Sequence, residues 1–237
     1  AILTSPGFLQ SLGLSLWIAT ASTLISAVLA LLSALLLRQA FPGRGTIRFL
    51  FQLNLTVPHV VGAVGILYLF SQSGSFARLA FATGLISGPQ DFPALTQDPF
   101  AIGIILQYVW KEVPFIGLIL LAKLQTIGSE PEATARTLGA SRWQAFRHVL
   151  LPLLAPGLAA ACALVFAFAF GAYEIPLILG THAPQALPVL AWHSFTDTDL
   201  ATRPQAYAMA ITVAGIGLAM LAVYARLALP KGNRDAR

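Results

Sequence analysis

The stretch LQSLGLSLWIATASTLISAVLALLSALLL, Leu9 to Leu37, holds no charged residue. A membrane-spanning helix needs about 20 predominantly apolar residues, so this run alone is long enough to cross a bilayer. Outward from it, further runs of that length lie at about Phe49 to Phe70, Phe100 to Ala122, Pro156 to Leu179 and Ala206 to Leu229. The composition agrees: 57% of the 237 residues are hydrophobic and 10% are charged. Average soluble domains are roughly 25% charged, so too few charges remain here to cover a water-facing globule. The sequence therefore predicts an all-α, polytopic integral membrane protein with about five transmembrane helices.

The net charge of +5 could suggest a nucleic-acid partner, but the basic residues lie between apolar runs, where they orient a membrane protein. Membrane lipid is the expected partner, and no nucleic acid. Arg38, Arg44 and Arg48 occupy the first connection, Lys123, Arg136, Arg142 and Arg147 the third, and Arg226, Lys231, Arg234 and Arg237 the C-terminal end. The other connections hold only Arg78 and Arg203, beside Asp91, Asp98, Asp197 and Asp199. Odd connections and the C-terminus are thus predicted to be cytoplasmic, with Ala1 starting outside. No charge precedes Arg38, so the start lacks the basic region of a signal peptide. The one cysteine, Cys162, sits in an apolar run and reads as a small buried hydrophobe.

Three runs are clean; the third contains Lys111, Glu112 and Pro114 and the fourth Glu174 and Pro176, which predicts two polar, bent helices. Ser71 to Asp98 reads as an outer loop with an interfacial helix near Phe76 to Ile86, too short to span. In the first run Ser15, Ala19, Ser22, Ser26, Ala30 and Ser33 share one face. Small residues let helices approach closely in lipid, so this face meets protein, either within the chain or in another subunit. Ala206, Ala210 and Ala214 form a weaker version.

The most informative cytoplasmic stretch is QTIGSEPEATARTLGASRWQAFRHVLLPLLAP, Gln125 to Pro156. Ser129 with Glu132 fits a capping box, with Pro131 tolerated in the first turn. Gly139 supplies the positive φ that ends the helix. Ser141 with Gln144 fits a second capping box, opening a helix to about Leu150 that Pro152 stops. Trp143, Phe146 and Leu150 share a face of it, and Arg136, Arg142 and Arg147 surround the turn. This aromatic and basic knuckle suits a docking surface or a helix lying in the headgroup layer, and physics alone leaves both open.

Glu132, Ala133, Ala135, Leu138, Gly139, Ala140, Phe146, Val149, Leu151 and Pro152 resemble the EAA loop of permease subunits of bacterial ATP-driven, binding-protein-dependent importers. WKEVPFIGLILL (Trp110 to Leu121) and FAFGAYEIPLILG (Phe168 to Gly180) resemble the helices flanking that loop, so the similarity covers most of the chain. One departure stands out: the family's Glu slot, counted back from Gly139, falls on Ala133, and Glu132 precedes it by one residue. The resemblance implies a single transmembrane permease domain over 1–237, with residues 125–152 as the cytoplasmic coupling loop and a further helix preceding Ala1. It implies a multi-pass location in the bacterial cytoplasmic (inner) membrane. The implied partners are ATP-binding subunits, a second permease subunit, identical or homologous, and a periplasmic or lipid-anchored substrate-binding protein. Loop residues Glu132, Ala135, Arg136, Leu138, Gly139, Ala140, Trp143, Phe146, Val149, Leu151 and Pro152 would couple to the ATPase.

The chain contains no G-x-x-x-x-G-K-[ST] phosphate loop, so it is expected to be no enzyme and to hold no cofactor, with ATP and Mg on partner ATPase subunits. Intramembrane ionisable groups are functional candidates because an unpaired charge in lipid is costly. Glu174, Lys111, Glu112 and His59 are accordingly candidate substrate-pathway residues, with structural pairing or snorkelling as the other reading. A secondary transporter or channel using Lys111, Glu112 and Glu174 for ion coupling is the rival function. The flanking motifs lean toward polyamine, thiamine or ferric iron as substrate.

Overall fold

The computed structural model describes residues 5–228, which contain no β-strand. Pro6–Arg38 forms α1, a single helix of 33 residues, about 50 Å long at 1.5 Å per residue. Ser5 caps it and Pro6 occupies its first turn. Arg44–Thr56 (α2) and His59–Phe70 (α3) follow, then Ser75–Ala82 (α4), Ile102–Ile127 (α5) and Glu130–Thr137 (α6). Arg142–Ala145 (α7) runs through a π turn, Phe146–Leu150, into Leu151–Gly171 (α8). Glu174–Leu179 (α9), Leu187–Thr196 (α10) and Arg203–Ala228 (α11) complete the fold. Five helical stretches among the described residues are long and apolar enough to cross a membrane: Pro6–Arg38, His59–Ala82, Ile102–Ile127, Arg142–Gly171 and Leu200–Arg226. Leu229, Lys231, Arg234 and Arg237 lie outside the described residues.

Helix α5 is the centre of the bundle, with 56% of its apolar stretch buried against 11% for α11. It packs most extensively against α1, and also against α8, α3 and α2. The small-residue face of α1 explains the close approach: Ser15, Ala19, Ser22, Ser26 and Ala30 are buried within the chain, and Ser33 half-buried. This decides for intrachain packing, since without a side chain of any length the backbones can touch where lipid supplies no hydrophobic drive. Of the three alanines on α11, Ala206 is buried, while Ala210 and Ala214 are exposed.

Three expectations are corrected. The second run is not one helix from Phe49 to Phe70: it divides at Val57–Pro58, because Pro58 has no N–H to continue the ladder and holds Val57 extended at φ −74°, ψ 124°. The apolar stretch continues instead through α3 into α4. Pro152 does not stop the loop helix, which runs unbroken from Arg142 to Gly171. The π turn widens the helix just ahead of that proline, with the Leu151 N–H bonded to the Phe146 carbonyl, so the missing donor and the ring are absorbed. Finally, Glu174 is not inside the fourth membrane helix. That helix ends at Gly171, Ala172 is extended, and Glu174 opens the separate helix α9.

The connections sort onto two ends. At one, Arg38 of the first connection reaches the third. At the other, the Trp17 Nε1–H donates to the Phe100 carbonyl (2.9 Å), the Gln97 N–H to the Leu179 carbonyl (2.7 Å) and the Leu187 N–H to Ser15 Oγ (2.7 Å). This is the alternation that the charge distribution predicts.

Candidate functional site

The first candidate region is the knuckle. Helix α5 ends at Gly128, with φ +70°, and α6 starts two residues later. Helix α6 closes at Gly139, whose φ of +91° is left-handed. The Gly139 N–H bonds the Arg136 carbonyl (3.0 Å) and the Ala140 N–H the Ala135 carbonyl (3.1 Å), a paired closure that satisfies the last carbonyls of the helix. Ser141 then opens the next helix through the expected capping box: Gln144 N–H to Ser141 Oγ at 3.2 Å and Ser141 N–H to Gln144 Oε1 at 2.8 Å. Reciprocal caps on both sides of a glycine turn make the unit rigid.

The other capping box does not form. Ser129 accepts no cap bond, and the Glu132 carboxylate instead takes Arg38 Nη1 at 2.7 Å, while Arg38 Nη2 donates to the Gly128 carbonyl at 2.9 Å. A charge-assisted bond is roughly twice as strong as a neutral one, so the guanidinium outcompetes the backbone N–H of the cap. Sequence reading took Arg38 only as an orienting charge, and its partner is 94 residues away.

The knuckle residues divide by direction. Leu138 is 84% exposed and Trp143 64%, and Arg136 is exposed beside them. Phe146 faces inward, half-buried and packed on the cluster that contains Leu150 and Leu154. Ala135, Ala140 and Val149 are half-buried, and Leu151 and Pro152 already belong to the membrane helix. Trp143, Phe146 and Leu150 line, with Leu31, Leu32, Leu35, Arg38 and Glu132, a cleft of about 570 Å³ between α1 and the loop.

The second region is a polar cluster inside the bundle. Lys111 and Glu112 on α5 point apart, as neighbours on a helix do. Lys111 is buried, and its Nζ donates to the carbonyls of Asn54 (2.6 Å) and Val57. The Asn54 carbonyl also takes the Val57 N–H (3.2 Å), so the lysine adds a second donor to the closure of α2 at the break before Pro58. Glu112 turns the other way: its Oε1 lies 3.2 Å from His59 Nε2, the first residue of α3. The Gln107 amide donates to the His59 carbonyl at 3.0 Å. Gly62 permits this approach, since a Cβ there would fall 2.5 Å from Gln107 Nε2 and 2.7 Å from the Trp110 ring.

Phe168 of α8 covers the cluster, its ring centroid 4.6 Å from His59 and 6.2 Å from Tyr108. Tyr108 is fully buried, and its hydroxyl has no hydrogen-bond partner among the described residues. Glu174 itself is exposed. Thus His59 and Glu112 meet, Glu174 lies exposed on α9, and Lys111 is committed elsewhere. Tyr108, Gln107 and Asn54 were missed; polar residues within apolar runs were the available signal.

Residues 26–229 match the family described as binding-protein-dependent transport system inner membrane component. The chain belongs to this family. The thiamine transport system permease protein ThiP of Escherichia coli (strain K12) is 32% identical over 177 residues, which cover 74% of this chain and 31% of ThiP. This chain therefore spans about a third of the length of that relative. A probable molybdenum ABC transporter permease protein of Haloferax volcanii is 31% identical over 212 residues, covering 87% of this chain and 71% of the relative. Among solved structures, a bacterial ABC transporter involved in the import of the acidic polysaccharide alginate superposes with a TM-score of 0.78 at 19% identity, covering 96% of this chain and 80% of that one. At that identity the likeness shows the fold. The chain is a multi-pass member of this transport-system family, and Gly139 to Pro152 of its loop lie within the matched residues.

Proposed function

We propose that this chain forms one half of the translocation pathway of an ATP-driven importer. It pairs with a second permease, identical or homologous, and docks on ATPase subunits through the knuckle, while a substrate-binding protein delivers cargo to the outer face. The observation that supports this best is the direct continuation of the knuckle into the membrane: Arg142 to Gly171 is one helix, so displacement of the loop is passed to α8 through packed backbone. Nucleotide-driven closure of the ATPase pair would move Leu138 and Trp143, and with them α8, switching the pathway between inward-open and outward-open. Glu132, Ala135, Arg136, Gly139, Ala140, Phe146 and Val149 shape that lever.

For the cargo we propose a small cation, in the class of thiamine, a polyamine or ferric iron. The Glu112 carboxylate beside His59, with the Phe168 ring 4.6 Å from that imidazole, and the exposed Glu174 on α9 offer negative charge and an aromatic face, which favours a cation over an anion. The test is reconstitution with the ATPase and binding protein encoded alongside this chain, followed by uptake of labelled thiamine, spermidine or ferric iron. Uptake that needs ATP inside the vesicle supports the reading. Uptake driven by an ion gradient without the ATPase would support a secondary transporter instead.

A further inference from the structure

We infer that Arg38 is a strut through which the coupling loop moves α1, a second mechanical output beside α8. The inference rests on the transport reading above. Arg38 is the last residue of α1, and its two guanidinium nitrogens are divided between two elements: Nη1 to Glu132 on α6 at 2.7 Å, and Nη2 to the carbonyl of Gly128, where α5 ends, at 2.9 Å. Both ends of the ion pair are partly buried, where it is screened less than on a surface. The planar fork suits this double contact, which an ammonium on a lysine stem cannot reproduce.

The surroundings make the contact mechanical. Helix α6 packs chiefly on the π turn and on α7. Between α1 and the loop lies the cleft of about 570 Å³ whose walls include Leu31, Leu35, Trp143 and Phe146. Arg38 spans that cleft, so a displacement of α6 reaches α1 through it. Helix α1 is a single unbroken rod, and at its far end Ser15 Oγ accepts the N–H of Leu187, the first residue of α10. Movement at the cytoplasmic loop is thereby passed along α1 to the outer-face helix. This gives the displaced Glu132 a role: its partner is in its own chain, and it holds the loop to the bundle. Arg38 is a positioning residue, since it touches neither cargo nor nucleotide.

The experiment uses the whole transporter in proteoliposomes, with Cys162→Ala as background. Arg38→Gln and Glu132→Gln are compared with the parent for solute imported per ATP hydrolysed and for retention of the ATPase subunits. Each should lower the ratio about tenfold, within the usual range of coupling between sites, with the subunits still bound. In Arg38→Cys/Glu132→Cys, a reducible bis-thiol reagent long enough to span the lost side chains should restore the ratio, and reductant should abolish it again. A packing role alone would not give a reductant-switched ratio. Unchanged coupling in both glutamine variants, or no recovery on cross-linking, overturns the strut. No ATP-dependent uptake by the parent would overturn the transport reading itself.

Discussion

His59 and Glu112 meet inside the bundle, Nε2 to Oε1 at 3.2 Å, although they are 53 residues apart and on different helices. The carboxylate is largely buried, so it depends on this partner. His59→Ala should therefore destabilise the folded chain by about 1–3 kcal/mol, because it leaves a buried acceptor unsatisfied. Glu112→Gln should cost less, since an amide still bonds the imidazole. Thermal unfolding in detergent of both variants and of the double variant checks this. Equal and additive effects would mean that the pair contributes nothing as a pair.

At Gly139, φ is +91° and the added Cβ would meet open space, so the obstacle to substitution is backbone conformation alone. Gly139→Val should abolish ATP-coupled uptake while leaving the chain in the membrane, because a β-branched residue is strongly disfavoured there. Membrane abundance on a blot together with vesicle uptake separates the two. Normal uptake would remove the turn from the coupling machinery.

Leu138 is exposed while Phe146 packs inward, which separates docking from packing. Leu138→Asp should release the ATPase subunit in a pull-down with little change in the stability of this chain. Phe146→Asp should lower that stability by about 2–5 kcal/mol, as other losses of core packing do. Retention of the ATPase by Leu138→Asp would favour a knuckle that rests on lipid.

Glu174 is exposed at the start of α9, next to the break that ends α8. Glu174→Gln keeps its shape and removes its charge. If the site takes a cation, the concentration for half-maximal uptake should rise about tenfold, equivalent to about 1.4 kcal/mol, with ATPase retention unchanged. Uptake at the parent concentration would retire Glu174 as a pathway residue.

Period, length and local capping determined much of this protein in the sequence. The apolar runs announced the spans because lipid requires every backbone group to bond within its own helix. Gly139 and the Ser141–Gln144 box were legible because turns and caps are decided by residues within four positions. Where a second solution competed, local reading failed: Ser129 and Glu132 satisfy the capping pattern, yet Glu132 bonds Arg38.

The tertiary structure alone decided which charges pair, and whether a proline ends a helix or is absorbed. Lys111 and Glu112 read as equivalent intramembrane charges, but one closes the broken end of α2 and the other meets His59. Pro58 and Pro152 have the same missing donor, yet Pro58 breaks a helix and Pro152 rides on a π turn. A buried polar group is satisfied by whatever the fold brings within hydrogen-bond reach, and the partners of Arg38, His59 and Lys111 lie 53 to 94 residues away, beyond any local pattern.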